Sequence, residues 1–422
     1  MLLRRMWRTH MLNKCVRHYT NRNVLKLHER GMFEDIFPDN SNQVVTDLLN
    51  SKPQCVYAGF DPTADSLHIG NLLVLINLLH WQRAGHSVVA LIGGATGRIG
   101  DPSGRTSDRP QLKSSTVTEN VNSLKKNIKQ IFDNHNQYIW RKGDDCLVEP
   151  IIVDNLQWYS EQNVIEFISQ IGRHFRMGTM LSRQSVQSRL SSETGMSFTE
   201  FCYQVFQAYD WLHLFHKYNC RFQIGGSDQM GNIVSGHDLI SRVTDEQVYG
   251  LTLPLVTTET GNKFGKSEGN AIWLNAEKSP PFDLYQFFVR CRDSEVENYL
   301  KLFTFESLSN IQKIMRKHEL GAQEIISVFS GAKICELLLQ PGTTTLDVAL
   351  RAGCFTNERD AVRIISAGGF YINHQRITKT DEVITHAAHI LPNNISLIRV
   401  GMKEELLCCE MAEMRGSQDT KI

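Results

Sequence analysis

Along residues 54–258, apolar runs of strand length alternate with longer segments whose apolar positions recur at helical spacing. Gln54–Phe60, Ser87–Ile92, Glu149–Val153 and Arg221–Ile224 read as strands. Between and after them the spacing predicts helices over Leu67–Ala84, Thr116–Phe132, Ser160–Ile171 and Ser197–Tyr218, with another from Ser227. Leu72, Leu73, Leu75, Ile76 and Leu79 give the first helix a broad apolar face. Strands separated by helices imply an α/β fold, a parallel sheet with right-handed crossovers. Ligands of such sheets gather at the carboxyl ends of the strands, so motifs just after those ends carry the most weight.

Ser279-Pro280-Pro281 breaks this alternation, and Phe282 to about Leu339 reads as all helix. Gln340-Pro341-Gly342 is a second break, followed by smaller elements. The expected organisation is a leader over 1–32, an α/β domain over 33–278, a helical domain over 279–340 and a small α+β domain over 341–422.

Composition narrows the class. Of 422 residues, 41% are hydrophobic and 21% charged, which suits a folded chain and argues against disorder. No apolar run approaches the roughly 18–20 residues that span a bilayer, and Leu72–Leu79 is interrupted by Asn77, so no membrane is expected as a partner. Ten cysteines without a Cys-x-x-Cys pair argue against a zinc ribbon or a secreted disulfide scaffold, and no metal held by the protein is expected. The formal net charge of zero is uneven: residues 1–28 hold five Arg, two Lys and no acid, leaving 38 basic against 45 acidic residues over 29–422. An Arg-rich, acid-free leader with Leu2, Leu3, Met6 and Trp7 has the composition of a mitochondrial presequence; a basic tail touching nucleic acid is the other reading.

Five clusters could carry chemistry. Tyr57-Ala-Gly-Phe-Asp61-Pro-Thr63 leads from a strand end to His68-Ile-Gly70-Asn71 at a helix start, where unpaired N–H groups suit phosphate and Gly70 lets a flat base approach. A simple capped helix would look the same. Lys263-Phe-Gly-Lys266-Ser267 is a cationic, glycine-rich loop able to close on a polyphosphate, or an exposed basic turn. Gly93–Arg105 follows a strand end, and its Asp101 could bind an ammonium group, although Asp-Pro-Ser-Gly is also a good turn. Tyr203, Gln207 and Asp210 share one face of a mostly apolar helix, where polar groups need partners. Gln223–Asn232 is again strand, glycine turn and helix, with Gly226, Asp228 and Gln229 at the turn; Asp228 could accept from ribose hydroxyls.

Together these clusters resemble the tyrosyl-tRNA synthetases. His68–Asn71 is similar to the HIGH signature of class I synthetases, and Lys263–Ser267, about 200 residues downstream, to KMSKS. Tyr57-x-Gly-x-Asp61-Pro-Thr, Gly100-Asp101-Pro-Ser-Gly and the Tyr203/Gln207/Asp210 face resemble the bacterial and organellar tyrosine enzymes rather than the tryptophan ones, and the leader suggests a mitochondrial form. Asn71 stands in place of the last His of the signature, Arg105 where Lys is common, and Phe264-Gly265 in place of Met-Ser.

The resemblance implies a Rossmann-like catalytic domain, an all-helical domain on the anticodon side and a small RNA-binding domain at the end. It implies that L-tyrosine is activated by ATP, with Mg²⁺ carried on ATP, and transferred to tRNA-Tyr in the mitochondrial matrix. His68, Gly70, Lys263, Lys266 and Ser267 would serve the chemistry. Asp101, Tyr203 and Gln207 would surround the α-ammonium, and Tyr57 and Asp210 the phenol. ATP would be held by Asp61, Thr63, His68, Gly70, Asn71, Gly226, Asp228, Gln229 and Lys266. A homodimer is expected through Val117–Asp145, and RNA binding over Thr343–Arg399, where Arg351 to Lys379 hold five basic and two acidic residues. A related nucleotidyltransferase, such as a tryptophan enzyme, and an RNA-binding protein on a synthetase scaffold are the alternatives.

Overall fold

The structure, a computed structural model, describes residues 22–104, 107, 109, 111–140, 147–255, 266–267, 270–317, 333–339, 342–355, 357–373, 375–385, 389–390, 395–400 and 406–413. Two compact units divide the chain: 1–132, 142–275 and 301–308 form one, and 133–141, 276–300 and 309–422 the other.

The first unit is built on a six-stranded sheet of β1 (Ile36–Phe37), β2 (Cys55–Phe60), β3 (Ser87–Ile92), β4 (Ile151–Asp154), β5 (Cys220–Gly226) and β6 (Tyr249–Leu253). Their order is β1-β6-β5-β2-β3-β4, parallel throughout except for β1 on β6. The chain moves outward from β2 through β3 to β4, then crosses to β5 on the other side. The topological switch therefore lies between β2 and β5, where a crevice opens at their carboxyl ends. All five residues of β6 are buried, so no alternation marks this strand in the sequence. Two short strands, β7 (Lys266–Ser267) and β8 (Asn270–Ala271), pair as a separate antiparallel ribbon.

Four helices frame the sheet: α1 (Leu72–Arg83), α2 (Ser114–Asn134), α3 (Phe198–Tyr218) and α4 (Met230–Thr244). α3 starts where the Ser197 hydroxyl accepts from the Glu200 N–H and stops where Asn219 turns left-handed at φ 51°. Its Trp211 is fully buried among Tyr57, Leu91 and Ile233, a contact of the size whose truncation costs about 3–5 kcal/mol. A Cβ on Gly236 of α4 would lie 2.6 Å from the Trp211 ring, so the close α3–α4 approach needs glycine there.

Sequence and structure differ at both ends of this body. The leader expected over 1–32 overlaps the fold. Asn23 caps a 3₁₀ turn over Val24–Arg30, buried His86 bonds the Arg22 carbonyl at 2.8 Å, and Met32 and Phe33 are buried. Composition marks a cationic stretch but not the residue at which packing begins. Residues 1–21 lie outside the described residues. The segment read as helical holds α5 (Pro281–Val289), α6 (Asp293–Phe303) and α7 (Leu308–Lys317), but Lys333–Leu339 forms a strand, β9. A short apolar run cannot be told from a buried helix by periodicity, and β9 is decided by a partner strand far along the chain.

That partner belongs to the five-stranded sheet of the second unit: β9, β10 (Phe370–Ile372), β11 (Gln375–Ile377), β12 (Ile395–Val400) and β13 (Leu406–Glu413), ordered β11-β10-β12-β13-β9. β9 pairs parallel with β13, and the other pairs are antiparallel. Helices α8 (Thr345–Arg351) and α9 (Glu358–Ser366) close over a core that includes Val348, Ala361, Ile365, Phe370 and Ile398. Among the described residues no helix is long and apolar enough to cross a membrane.

Candidate active site

At the switch point the first unit holds a cleft of about 600 Å³. β2 and the turn after it contribute Tyr57, Asp61 and Thr63; the turn before α1 contributes His68, Gly70 and Asn71. Asp101 comes from the turn after β3, and Tyr203, Gln207 and Asp210 from one face of α3. Gly226 ends β5, and Asp228 and Gln229 come from the turn after it. Four of the five sequence clusters thus meet at one place.

One end of the cleft is organised around Asp210, which is 2% exposed. Its Oδ2 accepts from Asn155 Nδ2 at 2.9 Å and its Oδ1 from Trp158 Nε1 at 3.0 Å. Burial raises its pKa to about 7, against the lowering effect of the Asn155 and Trp158 hydrogen bonds. The Tyr57 hydroxyl lies in the same field, its pKa raised by burial and then by Asp210. It is buried without a hydrogen-bond partner among the described residues, as is Gln223 Oε1. Each such orphan costs about 1–3 kcal/mol, which fits a pocket whose polar partners arrive with a ligand.

The other end is organised around Asp61. Its Oδ1 accepts from the Thr96 hydroxyl at 2.8 Å and its Oδ2 from the Tyr203 hydroxyl at 3.0 Å. Burial and then the nearby Asp101 raise its pKa to about 6. Gly93 permits this arrangement, since a Cβ there would lie 2.1 Å from Asp61 Oδ1. Asp101 is itself held by Gln229 Nε2 at 2.7 Å and by the Ser103 N–H at 3.0 Å. The two ends are joined: Asn155, which bonds Asp210, also donates to Thr96 Oγ1 at 3.0 Å, and its own oxygen accepts from the Ala95 N–H at 2.7 Å.

The predicted α1 start is modified. A 3₁₀ turn over Ile69–Asn71 precedes the helix, with His68 as its cap. His68 Nδ1 accepts from the Gly70 N–H at 2.9 Å, and Asn71 Oδ1 accepts from the His68 N–H at 3.2 Å. The capped-helix reading is realised, and the N–H groups of Ile69, Gly70 and Asn71 are bonded within the protein, while His68, Gly70 and Asn71 line the cleft. The backbone also ties the HIGH-like turn to the segment after the lysine loop: Ile69 N–H donates to Ile272 O and Leu274 N–H to Leu67 O, each at 2.8 Å. This ladder places the segment just after the lysine loop beside His68. Lys266 and Ser267 are described as backbone in β7, and Lys263 lies outside the described residues.

Sequence reading missed Thr96, Asn155, Trp158, Gln223 and Arg109. Arg109 lines the cleft, and its charge acts on both Asp61 and Tyr203. Asn155 had a signal, since it directly follows β4 at a strand carboxyl end. Among the described residues no group of three or more His, Cys, Asp or Glu side chains could hold a metal ion.

A doubly wound parallel sheet with a cleft at its switch point, whose HIGH-like turn is tied by backbone bonds to the segment following the KMSKS-like loop, resembles the arrangement of a class I tRNA synthetase. Residues 49–336 match the family model of class I tRNA synthetases (W and Y). The chain is 49% identical to the mitochondrial tyrosine–tRNA ligase of Drosophila melanogaster, covering 93% of this chain and 95% of that one. It is 43% identical to the mitochondrial enzyme of Homo sapiens, covering 89% of each. Its fold matches a C-terminally truncated mitochondrial tyrosyl-tRNA synthetase from Aspergillus nidulans with a TM-score of 0.63 and 35% identity, over 72% of this chain and 85% of that one. The chain belongs to the tyrosyl-tRNA synthetase family.

Proposed function

We propose how this cleft carries out tyrosine–tRNA ligation with ATP, the activity of the family. The tyrosine carboxylate attacks the α-phosphorus of ATP and pyrophosphate leaves; the terminal ribose hydroxyl of tRNA-Tyr then attacks the acyl carbon and AMP leaves. The first nucleophile is already ionised, so positioning and charge stabilisation replace a general base.

The observation that carries the reading is the buried Asp210 carboxylate, fixed by two N–H donors beside the unpaired Tyr57 hydroxyl. A phenol there meets an acceptor and a hydroxyl that phenylalanine would leave unsatisfied. Asp101, Tyr203 and Gln207 then surround the α-ammonium. His68, Gly70, Asn71, Asp61 and Thr63 face the nucleotide, with Gly226, Asp228 and Gln229 at the ribose side. Lys263, Lys266 and Ser267, with Arg109, stabilise the departing pyrophosphate. Mg²⁺ carried on the ATP phosphates supplies further charge neutralisation there.

Amino-acid-dependent ATP–pyrophosphate exchange tests the reading, with tyrosine active and tryptophan and phenylalanine inactive. Lys266→Ala is expected to cut adenylate formation by about 100-fold or more while leaving tyrosine affinity nearly unchanged. Equal loss of both would remove Lys266 from its role.

A homodimer acting in the mitochondrial matrix completes the proposal. The mitochondrial relatives and the basic leader support the location. The proposed interface runs over Val117–Asp145, where Val117, Leu124, Ile128 and Ile131 face the chain's own core and the opposite face of the helix is left for the partner. Val164, Ile165, Ile168, Met177 and Phe198 are also exposed, Phe198 at 78%, and a second copy would cover them. In the second unit the basic residues of 351–379 and Arg399, stacked 4.2 Å over Tyr371, support RNA binding, with α5 to α7 on the anticodon side. Sedimentation of the intact chain and the salt dependence of tRNA-Tyr binding are the checks.

A further inference from the structure

Arg30 is 7% exposed, and its three guanidinium nitrogens all donate to main-chain carbonyls of one short stretch. Nε bonds Lys301 O at 2.8 Å, Nη2 bonds Thr304 O at 2.7 Å and Nη1 bonds Glu306 O at 2.5 Å. The stretch begins in the last turn of α6, where carbonyls lack helical partners and the helix dipole favours a cation. Residues 301–308 belong to the first unit, although the residues on either side do not. They form a strap across it.

The strap has two further attachments. Phe303, 1% exposed, is part of the cleft wall. Phe305 packs on α1: its ring centre lies 4.8 Å from that of His80, and the Arg83 guanidinium sits 4.2 Å over it. His80 and Arg83 form the last turn of α1, the helix that His68–Asn71 lead into, so the strap ties the far end of that helix to the cleft wall. The groups assigned to tyrosine come from β2, the turn after β3, and α3, none of which the strap contains.

We propose that Arg30 is a positioning residue for the ATP half-reaction, pinning the 301–306 strap so that Phe303 stays seated in the cleft wall. Arg30 touches no substrate in this scheme. Its rigid fork reaches three carbonyls at once, which an ammonium on a flexible stem cannot reproduce. The inference rests on the ligase reading, and wild-type exchange activity tests that reading separately.

The experiment measures pyrophosphate exchange and tyrosine binding in Arg30→Lys, Arg30→Ala, Phe303→Ala and the Arg30/Phe303 double variants. The expected result is an ATP KM raised about tenfold in each single variant, with tyrosine Kd within about twofold of wild type and a double variant little worse than either single. Should Arg30→Ala fail to fold, Arg30→Lys and Phe303→Ala carry the same comparison. An unchanged ATP KM, a parallel loss of tyrosine affinity or additive effects would overturn the proposal, leaving the ligase assignment intact.

Discussion

The two ends of the cleft bury a carboxylate in different ways. Asp210 is held by an amide and an indole N–H, donors that cannot reverse, with the Tyr159 hydroxyl as a third and weaker hydrogen-bonding neighbour. Asp61 is held by two hydroxyls, Thr96 and Tyr203, which can rotate and accept instead. Asp61 also has a second carboxylate, Asp101, acting on it, whereas the strongest influence on Asp210 after burial is its own N–H donors. In the proposed scheme the site is rigid where it tells tyrosine from its near twin, and adjustable at Asp61, which holds Tyr203 beside the ammonium site. Asn155 and Thr96 join the ends, so neither is independent of the other.

The largest expected effect is at the rigid end. Asp210→Ala should reduce the preference for tyrosine over phenylalanine by about 100-fold, because a charge-assisted hydrogen bond is lost, Trp158 Nε1 loses its acceptor and Asn155 keeps only its bonds to Thr96 and Ala95. Tyrosyl enzymes are themselves the known case of rejecting phenylalanine without editing, so the direction is the family's. Competitive exchange with the two amino acids measures it; an unchanged ratio removes Asp210 from the phenol pocket.

A smaller effect separates the ends by pH. Asp61 and Asp210 have folded pKa values of about 6 and about 7, above the ordinary carboxylate value of 3.8. Between that value and about 7 the substrate-free folded chain binds more protons than the unfolded one. The stability these groups contribute is therefore full below 3.8 and is lost as pH rises through about 7. Tyrosine binding follows the opposite sign: it needs Asp210 ionised at the phenol and Asp61 ionised to hold the Tyr203 hydroxyl beside the ammonium site, so its KM should fall as pH rises through about 6 and about 7. Tyrosine KM and the melting temperature of the free chain, followed from acid to neutral pH, should move in these directions. A flat KM profile would show that neither acid serves tyrosine binding as a carboxylate.

The smallest effect sharpens the contrast. Thr96→Val removes a hydrogen bond that lowers the Asp61 pKa, so the acid limb of that profile should move upward while activity in mildly alkaline solution changes about threefold or less. An unshifted acid limb would assign that limb to Asp210 alone.

How much of this was legible in the sequence varies with the range of the interactions. Ser87–Ile92 is the same strand in both accounts, and Ser197–Tyr218 is the observed helix with its cap residue included, because local periodicity and capping decide such elements. The residues facing the cleft were legible as motifs at strand ends and, for Tyr203, Gln207 and Asp210, as one polar face of a helix. Asn155, Trp158 and Thr96 were missed because they touch no ligand in the proposed scheme; they hold residues that do. Arg109 was missed because a lone arginine after a turn looks like any solvated one. β9 was misread because its partner, β13, lies far along the chain.

The sequence by itself determined the alternation of strand and helix, the turns at the strand ends and the chemical character of each motif, since all three depend on neighbours within a few residues. Only the tertiary structure decided that Asp210 and Asp61 share one hydrogen-bonded network, that their acidities rise, and that Arg30 belongs to the catalytic body rather than to a leader. Burial and pairing arise between segments distant in the chain, and no local pattern encodes the water that each group loses when those segments meet.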